Sequence, residues 1–311
     1  MADRDSLTGG GDAHWSSYWS ESDDPEGQAL GGALRRAELA GRWREFFAAR
    51  PLASSERLLD IASGAAAIGK VASATEDSGP AIHCLDYSFA PLRKLRDIFG
   101  SGRAALLIQA DARRLPFRPG AFAAIVSQFG IEYAGPAAFG EAAQALAPDG
   151  AFGAVAHLRG GPIDRECQAN AALVGVFADC GMVNAARAAL RASYALRTLG
   201  RSPTHDQGAE KALSKAAARA QGAIAAASVS PAKALVGRVF DDILRLCERR
   251  LAFAQSDALK WLGDIETRQQ HYAARMRAMS QAALADKDIE TVRILMMRDG
   301  AAAFDAAPLT F

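Results

Sequence analysis

The chain has 311 residues, half of them hydrophobic, with 36 Lys and Arg against 35 Asp and Glu for a formal charge of +1. That length allows one large domain or two modest ones, with an apolar core that needs no disulfide or metal staple. Such a composition excludes wholesale disorder, and the near-neutral charge argues against a protein built to grip nucleic acid or an anionic membrane. No apolar run approaches the roughly 20 residues of a membrane span. The first residues, MADRDSLTGGGDAHWSSYW, have no apolar stretch after a basic start and do not read as a signal peptide. Cys84, Cys167, Cys180 and Cys247 are widely spaced and form no CxxC. This argues against a zinc ribbon, a redox pair or a disulfide framework, and a reducing cytoplasm is the expected location.

In chain order, residues 1–12 read as a polar, Gly-rich leader. Residues 13–50 read as a helical cap: Trp15, Tyr18 and Trp19 fall at i, i+3, i+4, and a second helix from about Gln28 ends before Pro51. The period then changes. Arg57–Ala62, Ala81–Leu85, Ala104–Gln109, Phe122–Gln128 and Ala151–His157 are strand candidates. Helical patterns at Gly64–Ala74, Ala90–Phe99 and Pro136–Leu146 lie between them. Strands alternating with helices predict a doubly wound α/β layer with a parallel sheet, over 51–160. Residues 161–300 read as helices with breaks near 160–162, 200–208 and 228–231, and 301–311 as a closing strand.

In a doubly wound sheet the loops at the carboxyl ends of the strands bind ligands. After the first strand that loop reads LLDIASGAAAIGK, residues 58–70. Gly64 to Lys70 fits GxxxxGK, but Val71 stands where a Ser or Thr hydroxyl would hold Mg²⁺. A dinucleotide site needs GxGxxG, which Ala62-Ser63-Gly64-Ala65-Ala66-Ala67 does not supply. The remaining readings are an acidic strand end, Asp60, with a Gly-rich turn for an adenosyl cofactor, and an ordinary strand–turn–helix with one positive-φ glycine.

The downstream residues break the tie. Asp86 ends the second strand, 26 residues after Asp60, and opens LDYSFAPLRKLR. ADARRLPF (110–117) follows the third strand, AFAAIVSQFGIEY (121–133) holds the fourth, and LAPDG (146–150) precedes the fifth. The ordered set from about 57 to 158 resembles the class I S-adenosylmethionine-dependent methyltransferases. It is most similar to their small-molecule branch, which includes quinone-biosynthesis enzymes. The resemblance implies a Rossmann-like core, S-adenosyl-L-methionine as cofactor, and cofactor contacts from Asp60, Ala62, Ser63, Gly64, Asp86, Tyr87, Asp111, Ala112 and Gln128. Asp86 would accept from the ribose hydroxyls, and Asp111 from the adenine amino group. Three departures stand out: Ala62 and Ala66 where glycine is usual, Ala123 where an Asp often follows the Phe, and one closing strand where two would complete a seven-stranded sheet.

His157, at the expected end of the fifth strand, is the candidate general base. Glu132 and Tyr133 are candidate substrate contacts, and Trp15, Tyr18 and Trp19 a candidate aromatic lid. No metal is expected. The expected function is methyl transfer to a small apolar or aromatic acceptor covered by the helices after residue 160, and a homodimer is compatible with it. The alternative is a methyltransferase-fold binding or scaffold protein without turnover.

Overall fold

The computed structural model describes residues 15, 18, 19, 33–73, 79–99, 105–199 and 203–309. The leader over 1–12 and the start of the second helix fall outside these residues. Chain contacts divide the protein into two units, residues 1–161 with 281–311, and residues 162–280.

The first unit is a five-stranded sheet. Helix α1 (Ala33–Ala49) precedes β1 (Arg57–Ile61), α2 (Ala67–Ser73), β2 (Ala81–Asp86), α3 (Phe89–Phe99), β3 (Ala105–Gln109), β4 (Phe122–Gln128), α4 (Ala137–Ala145) and β5 (Leu146–Val155). All pairings are parallel, in the order β3-β2-β1-β4-β5. This is the Rossmann-like layer expected from the alternating pattern. The central strands β1 and β4 are apolar on both faces and almost wholly buried, as a sheet covered by helices requires. One face packs Leu58, Ile68, Cys84, Leu95 and Val126 against Trp43 and Phe47 of α1. On the other, Leu59, Ile61, Ile125 and Ile131 meet Phe139 and Ala142 of α4.

Four details depart from the expectation. Strand β5 begins at Leu146, not Ala151, with a register irregularity against β4 between Phe122 and Ala124. The last helix, α10 (Asp286–Arg298), does not stay with the other helices. Its Val292 and Met296 return to the core of the α/β unit beside Phe139. The closing strand is absent among the described residues of the tail, 301–309. Ala301 and Phe304 pack on the apolar cluster instead, and Pro308 has no ladder donor to offer. Beyond β5, Leu158 forms a single parallel bridge with Leu284, whose N–H donates to the His157 carbonyl at 2.8 Å.

The second unit holds α5 (Pro162–Asp179), α6 (Met182–Leu199), α7 (Pro203–Ala226), α8 (Pro231–Glu248) and most of α9 (Gln255–Ala282). Ser230 caps α8 by accepting from the Lys233 N–H at 3.1 Å, with Pro231 in the first turn. Val174, Phe177, Met182, Leu190, Val236 and Leu262 are at most 2 % exposed in one core. By length and composition Pro162–Leu196 holds an 18-residue window apolar enough to cross a membrane, with a mean hydropathy of 1.3, where the sequence pattern led to the expectation of no such run. The run is divided at Gly181 (φ 72°) into α5 and α6.

All four cysteines are free and buried. Burial pushes the Cys167 thiol up to about 12 and Cys247 to about 11, and Cys84 higher still. Thiolate is the reactive form, so the native protein is expected to give almost no reaction with an aromatic disulfide reagent at pH 8. In guanidinium the same titration should count four thiols.

Candidate functional site

The candidate residues cluster where the parallel strands end. Strand β1 delivers Asp60, 1 % exposed, and then the loop. Ser63 donates its N–H to the Leu85 carbonyl of β2 at 3.0 Å, and Ala66 its N–H to the Ser63 carbonyl at 2.7 Å. Between these bonds Ala62, Gly64 and Ala66 all take left-handed backbone, with φ of 53°, 50° and 53°. A left-handed residue with a Cβ costs about 1–2 kcal/mol. The two alanines that depart from the family's glycines therefore hold a glycine's conformation under strain. Ala66 is fully buried in the apolar cluster with Ile68 and Leu58.

Asp86 closes the same loop from β2. Its Oδ2 accepts from the Gly64 N–H at 3.0 Å and its Oδ1 from the Ser88 N–H at 2.9 Å. These two backbone donors orient the carboxylate. Tyr87 beside it is half-exposed, and its carbonyl accepts from Gln109 Nε2 at 3.2 Å. After β3, Asp111 faces Arg113: the guanidinium Nε lies 3.0 Å from both carboxylate oxygens, and the Arg113 N–H donates to Oδ1 at 2.9 Å. The Arg113 guanidinium holds the Asp111 carboxyl below its usual range. Thus the residue expected at adenine is already paired with a neighbour on its own loop, beside half-buried Ala112.

The turn after β4 gathers the rest. Gln128 Oε1 accepts from Trp43 Nε1 at 2.7 Å, which ties α1 to the strand end. The Ser127 hydroxyl donates to the Ile61 carbonyl at 2.8 Å and accepts from the Ile131 N–H at 3.0 Å. Phe129 is left-handed, φ 53°, with its N–H on the Val155 carbonyl at 2.7 Å. A bulky side chain there is a genuine outlier. Its ring lies tilted on the His157 imidazole, centroids 4.8 Å apart. Glu132 is brought onto His157 rather than held apart from it. Oε1 sits 2.6 Å from His157 Nδ1 and accepts from the His157 N–H at 3.2 Å, and both side chains are at most 3 % exposed. Tyr133 meets the same imidazole edge-on at 6.0 Å and Trp15 at 5.4 Å. Tyr18 links Trp15 to Trp19 through edge contacts of 6.1 and 5.3 Å. Trp19 lies over the loop: a Cβ on Gly64 would stand 2.6 Å from its indole.

The structure therefore brings His157, Glu132, Tyr133 and the three N-terminal aromatics into one connected set. Asp60, Ala62, Ser63, Gly64 and Asp86 form a second, with Tyr87, Asp111 and Ala112 on the adjoining loops. Trp43, Arg113, Ser127, Phe129 and Gly130 were not legible as site residues. Only the Phe-Gly dipeptide after β4 carried a signal, that of a turn. Among the described residues no three His, Cys, Asp or Glu side chains gather to hold a metal ion.

Comparison with known proteins now gives this arrangement its context. Residues 59–154 match the methyltransferase-domain family. Over 98 residues the chain is 35 % identical to the malonyl-(acyl-carrier protein) O-methyltransferase of Geobacter sulfurreducens. That alignment takes in 31 % of this chain and 36 % of that protein, so the chain spans about a third of the curated relative it matches. Among solved structures, a Leishmania major S-adenosylmethionine-dependent methyltransferase is similar with a TM-score of 0.38 and 21 % identity, over 46 % of this chain and 60 % of that one. Phosphoethanolamine N-methyltransferase 2 of Haemonchus contortus, solved with S-adenosyl-L-methionine, is similar with a TM-score of 0.33 and 20 % identity, over 44 % and 30 %. The segment from β1 to β5 is thus a Rossmann-like unit that matches the methyltransferase-domain family over residues 59–154.

One contact makes the loop testable. A Cβ on Gly130 would stand 2.3 Å from the Ala62 Cβ. Gly130 has φ −144° and ψ −50°, outside the helical and extended regions, and the Ala62 methyl is the nearest obstacle to a larger side chain, with the Ala62 carbonyl oxygen next at 3.2 Å. Gly130→Ala is expected to lower stability by roughly 1–3 kcal/mol, the ordinary cost of overpacking. Adding Ala62→Gly should recover part of that loss. Urea denaturation of the two single variants and the double variant checks the coupling.

Proposed function

We propose that this chain transfers a methyl group from S-adenosyl-L-methionine to a small apolar or aromatic acceptor. The observation that carries the proposal is Asp86, a buried carboxylate fixed by the Gly64 and Ser88 N–H groups at the mouth of a left-handed loop. Two adjacent hydroxyls, each donating one hydrogen bond, match the acceptor capacity of an anion held in that way.

The residues present fit an adenosyl cofactor. Asp86 would take the ribose hydroxyls. Asp60, Ala62, Ser63 and Gly64 would border its amino-acid part, and Tyr87, Asp111 and Ala112 its adenine. The bound cofactor would supply an electrophilic methyl group. The chain's own contribution is position and electrostatics: Trp19 over the loop excludes water, Trp15 and Tyr133 offer aromatic walls, and His157 offers a nitrogen to receive a proton. Gln128 serves this site through Trp43, which it holds in place. The four buried thiols fit a reducing compartment such as the cytoplasm.

Calorimetry with S-adenosylmethionine and S-adenosylhomocysteine tests the reading, with Mg²⁺–ATP and NADH as controls. Micromolar binding of both adenosyl ligands is expected. Asp86→Ala, with its fold checked by circular dichroism, should weaken that binding roughly tenfold to a hundredfold, as loss of charge-assisted hydrogen bonds implies. Failure of the folded wild type to bind either ligand would overturn the enzyme reading and favour a scaffold role.

A further inference from the structure

We infer that Glu132 is a positioning residue that fixes His157 with its proton on Nδ1, and that the acceptor is therefore a weakly acidic hydroxyl, a phenol or enol. This rests on the methyl-transfer reading above.

The sequence offered Glu132 and His157 separately, one as a pocket wall and one as a base. The fold joins them from two strand ends, 25 residues apart in sequence and 2.6 Å apart in space. Glu132 Oε1 already accepts from the His157 backbone N–H, so that oxygen faces the histidine as an acceptor. With Glu132 as a carboxylate, Nδ1 beside it is the donor. An imidazole that is neutral and protonated on Nδ1 leaves Nε2 as a bare lone pair. Among the described residues Nε2 has no hydrogen-bond partner, so no protein donor occupies that lone pair.

Three further contacts keep the ring in this orientation. Phe129, aimed by its left-handed backbone, covers one face. Tyr133 stands against the edge. The His157 carbonyl is held by the Leu284 N–H, and Arg159, two residues on, turns its guanidinium away to the Gln281 and Ala283 carbonyls. The titratable groups that meet the imidazole among the described residues are thus Glu132 and Tyr133. Strain held at such a position is characteristic of functional sites.

The second oxygen of Glu132 supplies an independent observation. Oε2 is buried and has no hydrogen-bond partner. A buried carboxylate oxygen left without a donor is unfavourable, so the carboxyl group of Glu132 is an acceptor with nothing else to hold. A ring with a bare nitrogen on one side and a carboxylate on the other accepts a proton and offers none. It suits an acceptor that arrives protonated. A carboxylic acid arrives ionised at neutral pH and needs no base.

The atoms balance. The acceptor O–H bond breaks and its proton passes to Nε2. The oxygen bonds the methyl carbon as the carbon–sulfur bond breaks, and that electron pair remains on sulfur. The imidazolium so formed lies against the Glu132 carboxylate, which stabilises it.

Two-bond ¹H–¹⁵N spectra of ¹⁵N-histidine-labelled protein test the assignment without any acceptor. The His157 signals are identified by their loss in His157→Gln. In the wild type the neutral ring is expected as one tautomer, with the proton on Nδ1 and Nε2 unprotonated. In Glu132→Gln the side-chain amide can present either its oxygen or its NH₂, and the single tautomer should give way to a mixture. A proton on Nε2 in the wild type, or an unchanged pattern in Glu132→Gln, would overturn the positioning role. For the acceptor class, transfer of labelled methyl from S-adenosylmethionine is measured on phenols, matching anilines and matching benzoic acids. Phenols are expected to be methylated, and Glu132→Gln to lower kcat at least tenfold with little change in KM. Transfer to anilines or benzoic acids alone, or to no phenol in the panel, would overturn the acceptor class. Loss of S-adenosylhomocysteine binding by the wild type would instead count against the cofactor reading, and the tautomer result would stand by itself.

Discussion

The Ser127 hydroxyl joins the two parts of this site. It donates to the carbonyl that ends β1 and accepts from the N–H that opens the turn after β4. Ser127 is fully buried, so neither bond competes with water. One strand end leads into the loop of Ala62, Ser63 and Gly64, the other into Phe129, Gly130 and Glu132. Losing this hydroxyl would remove one hydrogen bond from the buried Ile61 carbonyl and the one shown for the Ile131 N–H, whose burial without a partner costs about 1–3 kcal/mol. The closeness of Gly130 to Ala62 follows from this tether, because the two turns are drawn together until only one of the two positions can carry a methyl group.

That contact changes the meaning of the alanines in the loop. Read along the chain, Ala62 and Ala66 look like erosion of a glycine pattern. In space both keep left-handed backbone, and the methyl of Ala62 fills the room that Gly130 leaves. The missing glycine is thus present in the site, on the facing turn. Ala66 has a different reason, since its methyl is fully buried beside Leu58 and Ile68. Apolar burial there, at about 25 cal/mol per Å², offsets part of the strain of its φ. The loop conformation is held by its surroundings more than by the intrinsic freedom of its residues.

What the sequence reveals and what it hides divide along the same line, local against non-local. The strands were legible because β1, β2 and β4 are short apolar runs bounded by turns, and Asp86 was legible because it ends one of them. Helix α10 was assigned to the helical region because its amphipathic pattern says that it buries a face, not which core receives it. The pairing of Gln128 with Trp43 spans 85 residues, and that of Glu132 with His157 spans 25. No periodicity encodes either. Arg113 was within reach of a local reading, two residues from Asp111, but a basic residue after an acid is ordinary on a surface. Only the geometry shows the guanidinium laid across both carboxylate oxygens.

The strand order explains why the site falls into two groups of residues. From β1 the chain moves outward through β2 to β3, then crosses back to β4 and on to β5, so the direction reverses between β1 and β4, the place where sheets of this order bind ligands. Residues on the β1 side come with loops whose backbone N–H groups are directed at a carboxylate. Residues on the β4 side come with a left-handed turn that presses an aromatic ring and a carboxylate onto one imidazole. The first group is fixed by the β1–β2 ladder and the second by the β4–β5 ladder. Ser127, at the boundary, is the residue through which both sides would be lost together.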